Sequence, residues 1–193
     1  MVLTASTMLS LGTKAPDFQL PDVVFGETIS LSTFVGKKAL LLMFICRHCP
    51  FVKHVQDELS QLGKDYLQSD LEIVAISAND VENYPDDAPD LLKKMATDLD
   101  FKFPVCYDET QQTAKIYTAA CTPDFFLFDN EQRLFYRGQL DESRPSNGQP
   151  VTGKDLRNAI DAVLHSKSLI EEQKPSIGCN IKWKPGNEPD YFG

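Results

Sequence analysis

Two cysteines separated by two residues, Cys46-Arg47-His48-Cys49, are the side chains in this sequence best suited to do chemistry. Thiols at that spacing can close a small disulfide ring. A helix start beside them supplies unpaired amides and the positive end of a macrodipole, both of which stabilise a thiolate. The spacing predicts Cys46, at or just before the first turn, as an exposed nucleophile of low pKa. Cys49, one turn deeper, is then the thiol that resolves the mixed disulfide formed on Cys46. Cys46 and Cys49 are the expected catalytic residues and the expected redox-active disulfide. Arg47 and His48 carry positive or polarisable character and are expected to lower the Cys46 pKa, stabilise the dithiol and make the disulfide more oxidising. Set against this, Arg47 could be a solvated charge and His48 a packed side chain.

Other chemistries for the pair are poorly served. A structural zinc needs four ligands, and the sequence offers no second Cys-x-x-Cys and no His-x-x-x-His beside His48 and His54. An iron–sulfur cluster needs four spaced cysteines, a pattern that Cys106, Cys121 and Cys179 do not make. No metal and no cofactor is therefore assigned. Cys121 stands two residues before Pro123 and is either an extra redox thiol or a small buried apolar residue. Cys106 reads as core. Cys179, after Gly178, either folds back onto the site or packs with Trp183, and packing is the favoured reading. Asp80, Glu82, Asp86 and Asp87 lack the spacing of a calcium loop and are expected to be a solvated acidic loop. Spacing singles out no buried acid to take a proton from the inner cysteine.

The elements that must hold these residues follow from periodicity. Residues 17–24 and 28–31 read as a short antiparallel pair turned at Gly26. Residues 39–45 are apolar without alternation, as a strand buried on both faces should be. Residues 51–66 have helical spacing, with Pro50 in a first turn that needs no amide hydrogen. A strand at 71–77, a polar loop at 79–89, a helix marked by Ala88, Leu91, Leu92, Met95 and Leu99, a strand at 103–107 and a helix at 109–118 come next. A hairpin at 124–129 and 133–137 and a last helix opened by Thr152 complete the pattern, and the tail from 166 shows little periodicity. Alternating strands and helices that end in a hairpin imply an α/β fold with a mixed sheet. The strand at 39–45 should be central, with the Cys-x-x-Cys at its carboxyl end, where open α/β sheets place their chemistry.

Composition narrows the setting. The 193 residues carry a formal charge of −9, with 42% hydrophobic and 24% charged residues. So acidic a chain is a poor partner for nucleic acid or for an anionic membrane surface, both of which call for clustered Lys and Arg. The longest apolar run is far short of the ~20 residues that span a bilayer. The start of the chain has no basic and apolar pattern of a secretory signal. Five cysteines, an odd number with two close together, do not make a secreted disulfide framework. A cytoplasmic location is expected.

Cys121-Thr122-Pro123 before Asp124-Phe125-Phe126-Leu127-Phe128, taken with Ala15-Pro16-Asp17-Phe18 and Phe44-Ile45-Cys46-Arg47-His48-Cys49-Pro50, resembles the thioredoxin superfamily, in its redoxin branch near the TlpA-like and AhpC/TSA-type proteins. The resemblance runs over about residues 11–167. It implies a thioredoxin-like fold: a central mixed β-sheet flanked by helices, here with an N-terminal β-hairpin extension. Residues 1–167 form that domain, and 168–193 an irregular tail packed on it. It also implies that Pro123 is cis against the active cysteines and that Thr122 offers backbone groups to an extended substrate segment. Tail included, the chain resembles a bacterial thioredoxin-like group whose members carry the label thiol-disulfide isomerase or thioredoxin. The implied activity is exchange with a protein or small-molecule disulfide, reset by an unidentified electron donor. A peroxiredoxin-like thiol peroxidase is the rival. Aligning helix starts puts Cys49 at the peroxidatic position, but Cys46 replaces the expected Thr, and Thr122-Pro123 stands where the stabilising Arg would come. A redox-silent binding protein on the same fold is a third reading. His48 just before the second cysteine is similar to protein disulfide isomerase and DsbA sites, which implies a potential above that of thioredoxin.

Overall fold

In the computed structural model, which describes residues 3–168 and 172–192, ten strands and four helices follow one another. They are β1 (Leu3–Ala5), β2 (Gln19–Pro21), β3 (Thr28–Ser30), β4 (Ala39–Phe44), α1 (Pro50–Asp65), β5 (Leu71–Ser77), α2 (Pro89–Asp98) and β6 (Val105–Tyr107). The rest are α3 (Gln112–Ile116), β7 (Cys121–Thr122), β8 (Asp124–Asp129), β9 (Leu134–Gly138), α4 (Lys154–Leu164) and β10 (Ile177–Asn180).

The main sheet has the order β6-β5-β4-β8-β9. β4 pairs parallel with β5 and antiparallel with β8, so the sheet is mixed and β4 lies at its centre. All six residues of β4 are buried, which is why it carries no polar alternation. Side chains along a strand alternate between faces. Ala39, Leu41 and Met43 accordingly join a core with Val52, Val55, Leu59 and Leu62 of α1 and Leu156 and Ile160 of α4. Leu40, Leu42 and Phe44 join a second core with Phe126, Phe128, Tyr117 and Phe18. Each large side chain taken out of water in these layers stabilises the fold by roughly 2 kcal/mol. The β2–β3 hairpin is an N-terminal extension, joined to the edge of the main sheet where the Val23 amide donates to the Val105 carbonyl of β6 at 2.8 Å.

Four details differ from the sequence reading. The helix expected at 109–118 shrinks to the five residues of α3, because Gln111 is left-handed and Thr118 breaks the turn the same way. The last helix is opened by Gly153, not Thr152. The Asp141 carboxylate accepts hydrogen bonds from the Thr152 and Gly153 amides and fixes the chain just before the helix. β1 and β10, unassigned from sequence, are both short and join β7 in a second sheet of order β1-β10-β7. Such brief strands leave no periodic trace. Finally, the acidic loop is not solvated throughout: Asp80 and Asp87 are buried, and residues 85–87 form a 3-10 turn that carries Asp87 inward.

Candidate active site

β4 and β5 run parallel, so their carboxyl ends lie side by side. The segment after β4 carries the Cys-x-x-Cys, and the segment after β5 carries Asn79 and Asp87. Cys49 is the residue that caps α1, followed by Pro50 at the first helical position. Cys49 therefore stands at the helix start, but its sulfur makes no capping hydrogen bond to the helix amides.

Both sulfurs are enclosed. Cys46 and Cys49 are 1% and 0% exposed. Cys46 Sγ lies 3.4 Å from Thr122 Oγ1, and Cys49 Sγ lies 3.2 Å from the Thr122 carbonyl oxygen. On its other side Cys49 Sγ meets Cys179 Sγ at 2.9 Å. Cys49 Sγ thus lies between the Thr122 carbonyl and the Cys179 thiol. A negative charge placed there draws hydrogen bonds from its neighbours. The Cys179 and Cys46 thiols pull the Cys49 pKa far down against the opposing effect of burial, and the Thr122 hydroxyl and Val52 amide help. The same sharing pushes Cys46 up: the Cys49 sulfur is the main cause, followed by burial and the charge of Asp87. Cys46 is buried and not exposed as expected. The sulfur contacts that push its thiol up pull that of Cys49 down.

Asp87 organises the loop between the cysteines. One carboxylate oxygen accepts hydrogen bonds from the Arg47 and His48 amides at 2.8 and 3.1 Å. The other lies 2.5 Å from His48 Nδ1 and accepts from Asn79 Nδ2 at 2.7 Å. Burial alone would raise the Asp87 pKa, but the bonds from His48 and Asn79 outweigh it and hold it below the usual carboxylate range. His48 is raised in turn, chiefly by its bond to Asp87, and its ring stacks on Tyr84 at 5.7 Å. His48 therefore spends its charge on Asp87, whose own charge raises Cys46. Arg47 reaches outward to Asp86 at 3.4 Å.

Cys46, His48 and Asp87 offer ligand atoms within 4.8 Å of one another, a trio that linear spacing did not reveal. His48 Nδ1 and Asp87 Oδ2 face each other, so two of the three donors are engaged in an ion pair.

The Thr122–Pro123 peptide is cis. The backbone edge of Thr122, expected to meet a substrate segment, is taken by the chain's own tail: β10 pairs with β7 with Cys179 opposite Thr122. Cys179 is thereby moved from the expected packing with Trp183 to the dithiol; Trp183 lies in the other core layer. Cys121 is fully buried with its sulfur 3.7 Å from the Pro123 carbonyl, and burial pushes its thiol well up. Its place as the third thiol beside the pair is held by Cys179. Cys106 is buried core, raised to about 12 by burial.

Sequence reasoning missed Asp87 and Asn79 as site residues, and it gave Cys179 over the site only as the alternative to packing with Trp183. The first two could have been found from topology, since parallel neighbours bring consecutive carboxyl-end loops together. For Cys179, the Gly178-Cys179 pair between Ile177 and Ile181 gave no way to choose between those two readings.

A mixed five-stranded sheet with a Cys-x-x-Cys at the end of its central strand and a cis-proline against it defines a thioredoxin-like protein of the redoxin branch. Residues 11–137 match the model of the AhpC/TSA family, and the chain belongs to that family. It is similar to an uncharacterized conserved protein from Geobacillus kaustophilus, with 52% identity, a TM-score of 0.94, and 96% of this chain and 98% of that one covered. It is 29% identical over 120 residues to the thiol-disulfide oxidoreductase ResA of Oceanobacillus iheyensis, covering 61% of this chain and 58% of that protein. The chain thus aligns with little more than half the length of that relative. A putative thiol:disulfide interchange protein DsbE from Chlorobium tepidum shares the fold at 24% identity and a TM-score of 0.63, with 81% of this chain and 99% of that one covered. Among the described residues, no helix is long and apolar enough to cross a membrane.

Proposed function

We propose that the protein is a thiol–disulfide oxidoreductase whose Cys46 and Cys49 cycle between dithiol and disulfide, with Cys49 holding the thiolate charge. The carrying observation is the place of Cys46 and Cys49 between the end of β4 and the start of α1, against Thr122 and the cis Pro123; the shared sulfur contacts pull the Cys49 thiol down. Once the site opens, the Cys49 thiolate attacks a disulfide R–S–S–R′. The S–S bond breaks and R′S⁻ leaves, to be protonated. The Cys46 thiol then loses its proton, attacks Cys49 Sγ and expels RS⁻. Two electrons have passed to the substrate, and an external dithiol donor must restore the pair. Thr122 and Pro123 border the reacting sulfurs and are proposed to guide an extended substrate segment when the tail yields its place. A protein or small-molecule disulfide is the proposed substrate class, in a reducing, cytoplasmic setting that keeps the resting form dithiol.

The test is site-resolved alkylation of the reduced protein across pH, read by mass spectrometry, followed by turnover of a protein disulfide. Cys49 should label first, with a profile displaced well below the ~8.5 of a free thiol. Labelling of Cys46 first would restore the opposite order of roles, and failure to reduce any disulfide would remove the oxidoreductase reading.

A peroxidase is the second reading, favoured by the position and acidity of Cys49. Cys49 thiolate would reduce ROOH to ROH, becoming a sulfenic acid, and Cys46 would condense with it to give the disulfide and water. Against it, Arg47 is turned to Asp86, and Thr122-Pro123 occupies the region where a cation would be needed. Peroxide consumption faster than disulfide reduction would favour the peroxidase.

A further inference from the structure

We propose that Cys179 is a second resolving thiol, which forms a Cys49–Cys179 disulfide in exchange for Cys46–Cys49 and fastens the tail over the active site. This rests on the reading of Cys49 as the reacting sulfur.

The geometry is built rather than incidental. The two sulfurs are 2.9 Å apart, so a short approach closes them to a bond of about 2.05 Å. Cys179 sits in β10 with neighbours on both sides, Leu3 of β1 and Thr122 of β7. Gly178 lets β10 lie tightly on β7: a Cβ there would come within 2.0 Å of the Thr122 carbonyl oxygen. Beyond the strand, the Lys182 amide donates to Asn79 Oδ1 at 2.8 Å, and the Lys184 amide donates to Gln111 Oε1 at 2.9 Å. Asn79 is the residue that also bonds Asp87, so the segment after β10 is tied to the network that holds the Cys-x-x-Cys loop. The tail thus lies along Thr122 as an extended strand and presents a thiol to Cys49.

The exchange balances without any further oxidant. After a substrate disulfide has oxidised the pair, the Cys179 thiol gives up its proton and attacks Cys49 Sγ. The Cys46–Cys49 bond breaks, the Cys49–Cys179 bond forms, and the departing Cys46 thiolate takes the proton. No electrons are gained or lost in this step. In the reduced protein the Cys49 sulfur is the main cause that holds the Cys179 thiol far up. Once Cys49 is in a disulfide its charge is gone, and Cys179 ionises more readily. The product is a protein with Cys46 free and its tail covalently strapped to the start of α1.

The test treats the reduced full-length protein with one equivalent of dithiodipyridine, quenches in acid, blocks free thiols with a maleimide and maps the peptides. A linked Cys49–Cys179 peptide, with Cys46 carrying maleimide, is the expected result. Finding only Cys46–Cys49, with Cys179 blocked by maleimide, overturns the relay and leaves the dithiol reading intact. Finding no intramolecular disulfide overturns both. Cys46→Ser supplies a second arm: it should still release two equivalents of thiopyridone and stop at Cys49–Cys179. A variant that releases one equivalent and keeps a mixed disulfide on Cys49 refutes the role of Cys179. The double variant Cys46→Ser/Cys179→Ser should release only one, half the yield.

Discussion

Asp87 sets the charge around the cysteines without touching either sulfur through a hydrogen bond. It is fully buried and holds the loop by two backbone amides and the His48 ring. Its charge also raises Cys46. Asp87→Asn keeps the shape and an acceptor for the amides but removes the charge. The expected result is that Cys46 alkylates at lower pH than in the parent, while the His48 pKa falls toward its ordinary value near ~6.5. NMR titration of His48 alongside labelling of Cys46 measures both, and two unchanged profiles would show that Asp87 is structural only. Asp87→Ala is harsher. It strands buried amides and an ion-pair partner, at a cost of about 3–5 kcal/mol, visible as a drop in urea midpoint. A second consequence concerns potential. A thiolate stabilised at Cys49 favours the reduced protein, which makes its disulfide more oxidising. Equilibration with glutathione should give a potential above the ~−270 mV of thioredoxin; a value at or below that would mean that burial of the pair outweighs the stabilised thiolate.

At the scale of elements, what could be read from sequence was what repeats. β4 announced itself by unbroken apolar character, α1 by its 3.6-residue stripe, and the Cys-x-x-Cys by falling between them. β1, β7 and β10 are two to four residues long, and strands so short carry no period. Their pairing is decided by tertiary contact, so the tail read as irregular and Cys179 as packing. The start of α1 was legible, since Pro50 falls in the first turn as the spacing predicts; the burial of both sulfurs was not, because it comes from β7 and β10 packing over them. The tail strand yields a prediction of its own. In Gly178→Ala the added methyl meets the Thr122 carbonyl at 2.0 Å, and β10 must shift. Loosening it by about 1.4 kcal/mol opens the site tenfold more often. Alkylation of Cys49 at fixed pH should accelerate by about that factor, and truncation after Lys167 should speed reaction with a protein disulfide in the same direction. Unchanged rates in both would show that β10 does not limit access.

For the whole molecule, the dependence of stability on pH is set by buried acids more than by the surface. Asp124 follows Pro123 on β8, is fully buried, and has one carboxylate oxygen without a hydrogen-bond partner among the described residues. Burial raises its pKa to about 7, against opposing bonds that include the Ala120 amide. A carboxyl of an unfolded chain titrates near ~3.9. The folded state therefore binds the proton more tightly. The stability this confers is complete below pH ~4 and is lost as pH rises through about 7. The His48–Asp87 pair adds a bounded window. The raised His48 contributes stability that is present in acid and lost as pH rises through its folded value, and the lowered Asp87 contributes stability that is lost as pH falls through its own. The protein should consequently be most stable in mildly acidic solution. Asp124→Asn isolates the Asp124 effect, because it removes the titrating group and keeps the shape. The stability of the parent relative to this variant should fall by as much as ~4 kcal/mol between pH ~4 and ~8. Urea unfolding of both proteins at several pH values measures it. Parallel curves would mean that Asp124 titrates in the folded protein as it does in the unfolded chain, and that its burial does not set the loss of stability toward neutral pH.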